Sequence, residues 1–162
     1  MMAQNESANV HYDNTPELKL RQAYLAMHRA FDFHFLKSGV TADQFALLKS
    51  LSEADGAGQR KLAGMMSADA NTVAAMLVLL EKRGLLRREA HPSDGRVKAV
   101  FLTAKGWQVL SDLEASSREL HEMVEECFRG RDGTSAYQVL DRVIAVMSVA
   151  KGVHVRRLRG SA

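Results

Sequence analysis

The 162-residue chain has one cysteine, two prolines and eleven glycines, and only 6% of its residues are aromatic. A single thiol, Cys127, cannot close an intrachain disulfide and supplies too few ligands for a multi-cysteine zinc or iron–sulfur site, so a reducing compartment is expected. With so few helix-breaking residues, long uninterrupted helices are permitted. No apolar run approaches the roughly 20 residues of a membrane span, and the opening MMAQNESANVHYDNTP lacks the charged and apolar blocks of a signal peptide. A cytoplasmic protein is therefore expected. Also missing are a phosphate loop, a nucleophile elbow and an HExxH pair, while His11, His28, His34, His91, His121 and His154 share no catalytic spacing. The sequence gives no reason to expect an enzyme, a cofactor or a metal centre.

What is present is an ordinary globular composition, 46% apolar and 25% charged, on a length that suits one domain, or a small module joined to oligomerising helices. Residues 1–15 have little to bury and read as a mobile arm. Pro16 suits the first turn of a helix over 16–38, whose apolar positions Leu20, Tyr24, Met27, Phe31 and Phe35 recur every three or four residues. Ser38-Gly39 ends it. Thr41 and Gln44 form a capping box for a second helix carrying Phe45, Leu48 and Leu51, and ADGAG over 54–58 reads as a loop. A short helix with Leu62, Met65 and Met66 then precedes one with Val73, Leu77 and Leu80, with Ser67 or Asp69 as its cap and Gly84 as its stop. This is a helix-turn-helix pattern.

After Gly84 the period changes. LLRREA, HPSDGR and VKAVFL read as strand, turn and strand, with Asp94-Gly95 as the turn, which makes a wing. Thr103 caps a long helix expected to bury Trp107, Leu110, Leu113, Leu120, Val124 and Cys127, and a last helix from about Ser135 carries Tyr137, Leu140, Ile144 and Met147. The fold class is thus mainly α with a small β-hairpin wing: a winged helix-turn-helix over 39–106, with N- and C-terminal dimerisation helices at 16–38 and 107–150 and a basic tail at 151–162.

The net charge of +3 hides a segregation. Residues 59–105 carry nine Lys or Arg against four acids, a net of +5, and the tail from Lys151 adds +4, leaving −6 elsewhere. The positive potential falls on the motif shaped for a major groove. Asn71 and Thr72 on the leading turn of the second helix of the pair are candidates for base or phosphate contact, and the small Ala70 and Ala75 allow close approach. Gln59 and Arg60 are placed for phosphates, as are Arg87, Arg88 and Lys98 on the strands. Arg96 at the wing tip suits a narrow minor groove, with Asp94 to orient it. Each has a plainer role available: capping for Asn71 and Thr72, turn formation for Asp94.

The segments GVTADQFALLKSL, RKLAGMM and NTVAAMLVLLEKRGLLRREAHPSDGRVKAVFLTAKG resemble the MarR family of bacterial transcription regulators over residues 39–106. The specific parts are LEKRGLLRR leading into PSDGR, and LT-x-KG. The resemblance implies a pseudo-twofold winged-helix homodimer, usually a repressor, with a small molecule bound between reader and dimeriser. The family's wing Asp and Arg map onto Asp94 and Arg96, whereas its Thr-Arg pair in the recognition helix is here Ala75-Met76. The family pocket implies a lining of His28, Arg29, Phe31, Phe35, Phe45, Met65 and Met66, suited to a small aromatic effector, phenolic or carboxylic, or its conjugate. For the Phe and Met residues the alternative is plain core packing. The other readings of the chain are a non-sensory architectural DNA-binding protein, a redox regulator acting through Cys127, and a metal sensor acting through His121 and Glu125.

Overall fold

A computed structural model describes the backbone of residues 15–91, 94–129 and 135–159, and the side chains within 15–90, 98–129 and 135–147. Residues 1–14, read from sequence as an arm, lie outside it, as do the side chains of the tail. The chain divides into one compact unit ending at Ser117 and a second beginning at Arg118. Among the described residues no single helix is long and apolar enough to cross a membrane.

The first unit opens with α1 (Pro16–Phe35), where Thr15 accepts a hydrogen bond from the Leu18 amide and Pro16 occupies the first turn. A 3-10 turn, Leu36–Ser38, leads into α2 (Ala42–Glu53). Its capping box forms as the sequence predicts: Gln44 N–H donates to Thr41 Oγ1 at 3.2 Å and Thr41 N–H to Gln44 Oε1 at 3.3 Å. Asp32 of α1 accepts from Ala42 N–H at 2.6 Å, so a third N-terminal amide of α2 is satisfied by a neighbouring helix. Next come α3 (Gln59–Met65) and α4 (Ala70–Lys82), meeting at 111°. Asp69, not Ser67, caps α4, accepting from the amides of Asn71 and Thr72.

Strands β1 (Leu86–His91) and β2 (Asp94–Leu102) pair antiparallel, Leu86 opposite Leu102 and Arg88 opposite Val100, with an irregularity at Ala90/His91. The loop after α2 adds to β2 through Gly56 N–H to Val100 O and Val100 N–H to Ala57 O. The core is the space enclosed by these pieces: Phe35, Leu47, Leu48, Leu51, Leu62, Val73, Leu77, Leu80, Leu85, Leu86 and Val100 are all sealed from solvent. Burying one such aliphatic side chain stabilises the fold by about 1.5–3 kcal/mol before entropy is counted.

Helix α5 (Ala104–Ser116) is fastened to this core by the LT-x-KG segment. Thr103 Oγ1 accepts from Gly106 N–H and donates to Gly84 O, while Thr103 N–H donates to Leu85 O. Gly106 packs so close to the chain leaving α4 that a Cβ there would lie 1.9 Å from Leu85 O. Glycine is required by contact, since its φ is unremarkable.

Two expectations need correction. The helix after Thr103 does not run unbroken: it ends at Ser116, and α6 (Arg118–Phe128) begins after Ser117. The hydroxyls of Ser116 and Ser117 both donate to Leu113 O, and this competition with the backbone ladder weakens a helix interior. The stripe assigned to it is also only partly buried: Leu110 and Leu113 are in the core, but Trp107 is 46% exposed and Cys127 is exposed. In α1, Phe31 and Phe35 of the five stripe residues are buried within the single chain, the core lying under the C-terminal half of that helix.

The second unit contains α6 and α7 (Ala136–Arg159), which continues through the segment read as a plain basic tail. Here Tyr137 Oη donates to Glu125 at 2.6 Å, and the Phe128 and Tyr137 rings lie 4.9 Å apart. That hydrogen bond raises the Tyr137 pKa above the ordinary phenol value, since ionisation would break it and place two anions together.

Candidate nucleic-acid interface

The N-terminal turn of α4 is exposed from its capping residue, Asp69, onward, and only the inner face of the helix enters the core. Val73, Met76, Leu77 and Leu80 point inward, and Ala70, Asn71, Thr72 and Ala75 are exposed. Of the Ala75-Met76 pair that replaces the family's Thr-Arg, only Ala75 faces out. Helical spacing continues this outer face through Val78, Leu79 and Lys82, of which Leu79 is half exposed. Val78 and Leu79 extend this exposed face beyond the residues singled out from the sequence. The step of four, three and four from Asn71 through Ala75 and Val78 to Lys82, with the step of four from Ala75 to Leu79, is the signal for them, and apolar side chains on such a face can meet thymine methyl groups.

Beside this turn lies an open groove of about 540 Å³ between α3, α4 and the hairpin, lined by Gln59, Arg60, Ala70, Arg88 and Lys98 among others. Three cations and no acid among its lining residues make it attractive to phosphate. Their availability differs. Arg60 and Lys98 are exposed. Gln59 donates from Nε2 to Ala70 O at 3.0 Å, holding the starts of α3 and α4 together. Arg88 directs both Nε, at 2.8 Å, and Nη2 onto Glu81 Oε2. That contact holds the Glu81 carboxyl below the usual carboxylate range and raises Arg88 above the usual guanidinium value. Arg88 thus ties the wing to the end of α4. Arg87 alternates to the other face of the hairpin, where its guanidinium stacks 4.6 Å over the Phe101 ring and pairs with Glu89 at 2.8 Å. Asp94 and Arg96 belong to β2, but their side chains lie outside the described residues.

The expected effector lining is dispersed. The Phe35 ring lies 5.8 Å from Phe31 and 4.9 Å from Phe45, so the three rings pack on one another inside the core. His28 presents Nδ1 to Asp32 at 3.1 Å and Nε2 to Asp43 at 3.2 Å, leaving neither ring nitrogen for a ligand in this arrangement. Arg29 is exposed, and Met65 and Met66 stand at the end of α3. A cleft of about 450 Å³ opens instead between the end of α1 and α5, walled by His34, Lys37, Ser38, Val109, Asp112 and Leu113. His34 Nε2 lies 2.7 Å from Ser116 O across it. Among the described residues no group of three His, Cys, Asp or Glu is placed to hold a metal ion.

This geometry can be compared with known proteins. The model of the MarR family matches residues 40–98. Transcriptional regulator HosA of Escherichia coli O111:H- is 34% identical over 113 residues, covering 70% of this chain and 79% of that protein. Among solved structures, the transcriptional repressor CouR bound to a 23-mer DNA duplex superposes with a TM-score of 0.67 at 28% identity, covering 83% of this chain and 92% of that one. The transcriptional regulator MosR of M. tuberculosis, also in complex with DNA, superposes at 0.66 with 25% identity, over 86% and 98% of the two chains. With the capped, outward-facing α4, the wing and the LT-x-KG anchor all in place, the chain belongs to the MarR family of transcriptional regulators.

Proposed function

We propose that the chain is a homodimeric repressor that binds a pseudo-palindromic operator and is released by a small aromatic phenol or carboxylic acid, or a conjugate of one. The observation that carries the DNA reading is the exposed first turn of α4 beside a groove lined by Arg60, Arg88 and Lys98. In this reading Ala70, Asn71, Thr72, Ala75, Val78 and Leu79 meet the major groove. Arg60 and Lys98 contact phosphate, Arg96 enters the minor groove, and Gln59, Arg87 and Arg88 hold these elements in position. CouR and MosR, solved on DNA, support the same use of the fold. Dimerisation is supported by apolar residues exposed in a single chain: Leu20, Tyr24 and Met27 on α1, and Met123, Val143 and Met147 on α6 and α7. Two copies present two readers about one turn of DNA apart.

For the effector, the cleft beside α5 is the better candidate than the filled Phe cluster. Its volume falls in the range of small-ligand sites, Val109 and Leu113 offer an apolar wall, and Lys37 offers a cation for an acid or phenol, opposed by Asp112 in the same wall, while His34 Nε2 is engaged by Ser116 O. The reading is tested by footprinting the DNA upstream of the gene, then repeating the titration with a panel of benzoic and phenolic acids. A bounded palindromic footprint, weakened by one class of acid, is expected. Diffuse protection along the duplex would replace the regulator with a DNA-coating protein, and a bounded footprint indifferent to every acid would remove the effector class.

A further inference from the structure

Arg83, the residue that caps the C-terminus of α4 before Gly84, does more than end a helix. The Arg83 backbone N–H closes the α4 C-terminus onto Leu79 O, and its guanidinium reaches back 44 residues to the end of α1. There Nη1 donates to Gly39 O at 2.5 Å and Nη2 to Ser38 O at 3.0 Å. The Arg83 carbonyl in turn accepts from Lys105 Nζ of α5 at 2.9 Å. One residue therefore holds the DNA-facing helix, the turn after α1 and the start of α5 at a single point. Ser38 is also a wall of the cleft that His34 and Lys37 line. A planar guanidinium on two successive carbonyls fixes direction as well as distance, which a lysine ammonium cannot do.

We infer that Arg83 is the positioning residue that couples the cleft beside α5 to the orientation of α4 on DNA. The inference rests on the functional reading above and deepens it. A ligand that moves Ser38 or Gly39 pulls on the α4 C-terminus through the Arg83 side chain alone. Because coupling is reciprocal, DNA bound at α4 must also restrain the segment around residues 36–42. Two amides report that restraint: Gly39 N–H, bonded to Leu36 O, and Ala42 N–H, bonded to Asp32.

The test is amide hydrogen exchange on the full-length protein, free and saturated with a duplex that it selects from a random-sequence pool. Wild type, Arg83→Lys and Arg83→Met are compared. In the wild type the duplex slows exchange at Gly39 and Ala42 by about fivefold or more, the lower end of ordinary coupling. In Arg83→Met the slowing at 39 and 42 falls within about twofold of none, while α4 amides at 71–76 are still protected by the duplex; Arg83→Lys falls between. A residue that merely staples the fold speeds exchange equally in the free and bound states, so duplex-induced slowing that persists in Arg83→Met overturns the proposal. Folding is checked by the protection of α4 itself, and Arg83→Lys carries the test if the methionine variant is unstable. A wild type that selects no duplex overturns the DNA reading and this inference with it; a wild type that binds DNA without slowing at 39 and 42 overturns the inference alone.

Discussion

Gly106 gives the sharpest conflict between a local and a tertiary effect. It is two residues inside α5, where replacing glycine by alanine is worth about 1 kcal/mol to the helix because less backbone entropy is lost. Against this, the new methyl carbon would lie 1.9 Å from Leu85 O, 2.9 Å from Leu85 C and 3.3 Å from a Leu102 methyl. The first two atoms are backbone and cannot rotate away. Leu85 O must retreat by about an ångström, a small-to-large insertion of the kind that costs about 1–3 kcal/mol. The same movement stretches the 3.1 Å bond from Thr103 N–H to Leu85 O, worth about 1 kcal/mol more. The clash wins, and Gly106→Ala should be destabilised by about 2 kcal/mol net, which for a chain of this size lowers Tm by about 4–8 °C. Differential scanning calorimetry at one fixed protein concentration measures it, so that dimerisation does not move the midpoint. A variant as stable as the wild type, or more so, would show that helix propensity outweighs the contact and that Gly106 is not required by close approach.

Three further outcomes follow from the charges. Lys98→Met and Arg96→Ala should each weaken operator binding and flatten the plot of log affinity against log salt by about two, one phosphate or groove cation being lost per subunit of the dimer; unchanged slope in a gel-shift titration would remove that residue from the interface. Arg88→Met should leave the slope nearly unchanged, since Glu81 already neutralises that guanidinium, and should instead lower Tm modestly by freeing the wing and leaving Glu81 unpaired; a slope change equal to that of Lys98→Met would show that Arg88 leaves Glu81 for DNA. The Glu81 carboxyl is held below its ordinary value, so its stabilisation of the folded state is complete above the unfolded value near 4.3 and is lost as pH falls through the lower folded value. Wild type should then exceed Glu81→Gln by up to about 1 kcal/mol at neutral pH, and urea midpoints of the two should converge as pH falls below the unfolded carboxylate value. A gap independent of pH would mean that the carboxylate charge contributes nothing.

The parts of the molecule legible in the sequence are those whose cause is local. Thr41 with Gln44, Asp69 with its two amides, and Thr103 with Gly106 all act within three residues, so the order of residue types is sufficient to place three helix starts. Periodicity is local too, but it says which residues share a face and not what covers that face. Trp107 shares a stripe with Leu110 and Leu113, yet only the latter two lie against the core, and the same distinction separates Tyr24 from Phe31 on α1. The break at Ser117 was missed because a hydrophobic stripe can continue across it in phase.

The candidate site divides along the same line. Exposure of Asn71 and Ala75 follows from a capped amphipathic helix, and strand alternation already sends Arg87 and Arg88 to opposite faces. What alternation cannot supply is the partner on each face. Arg88 meets Glu81 only because the chain reverses at Gly84 and lays β1 along the end of α4, and Arg83 finds Ser38 and Gly39 across 44 residues. Basic residues in a reader therefore fall into two groups that composition counts alike: those left facing solvent, Arg60, Lys61, Lys82 and Lys98, and those engaged by the fold, Arg83, Arg87, Arg88 and Lys105. The net charge of the segment overstates the cations offered to DNA, and the salt slope measures the difference between the two groups.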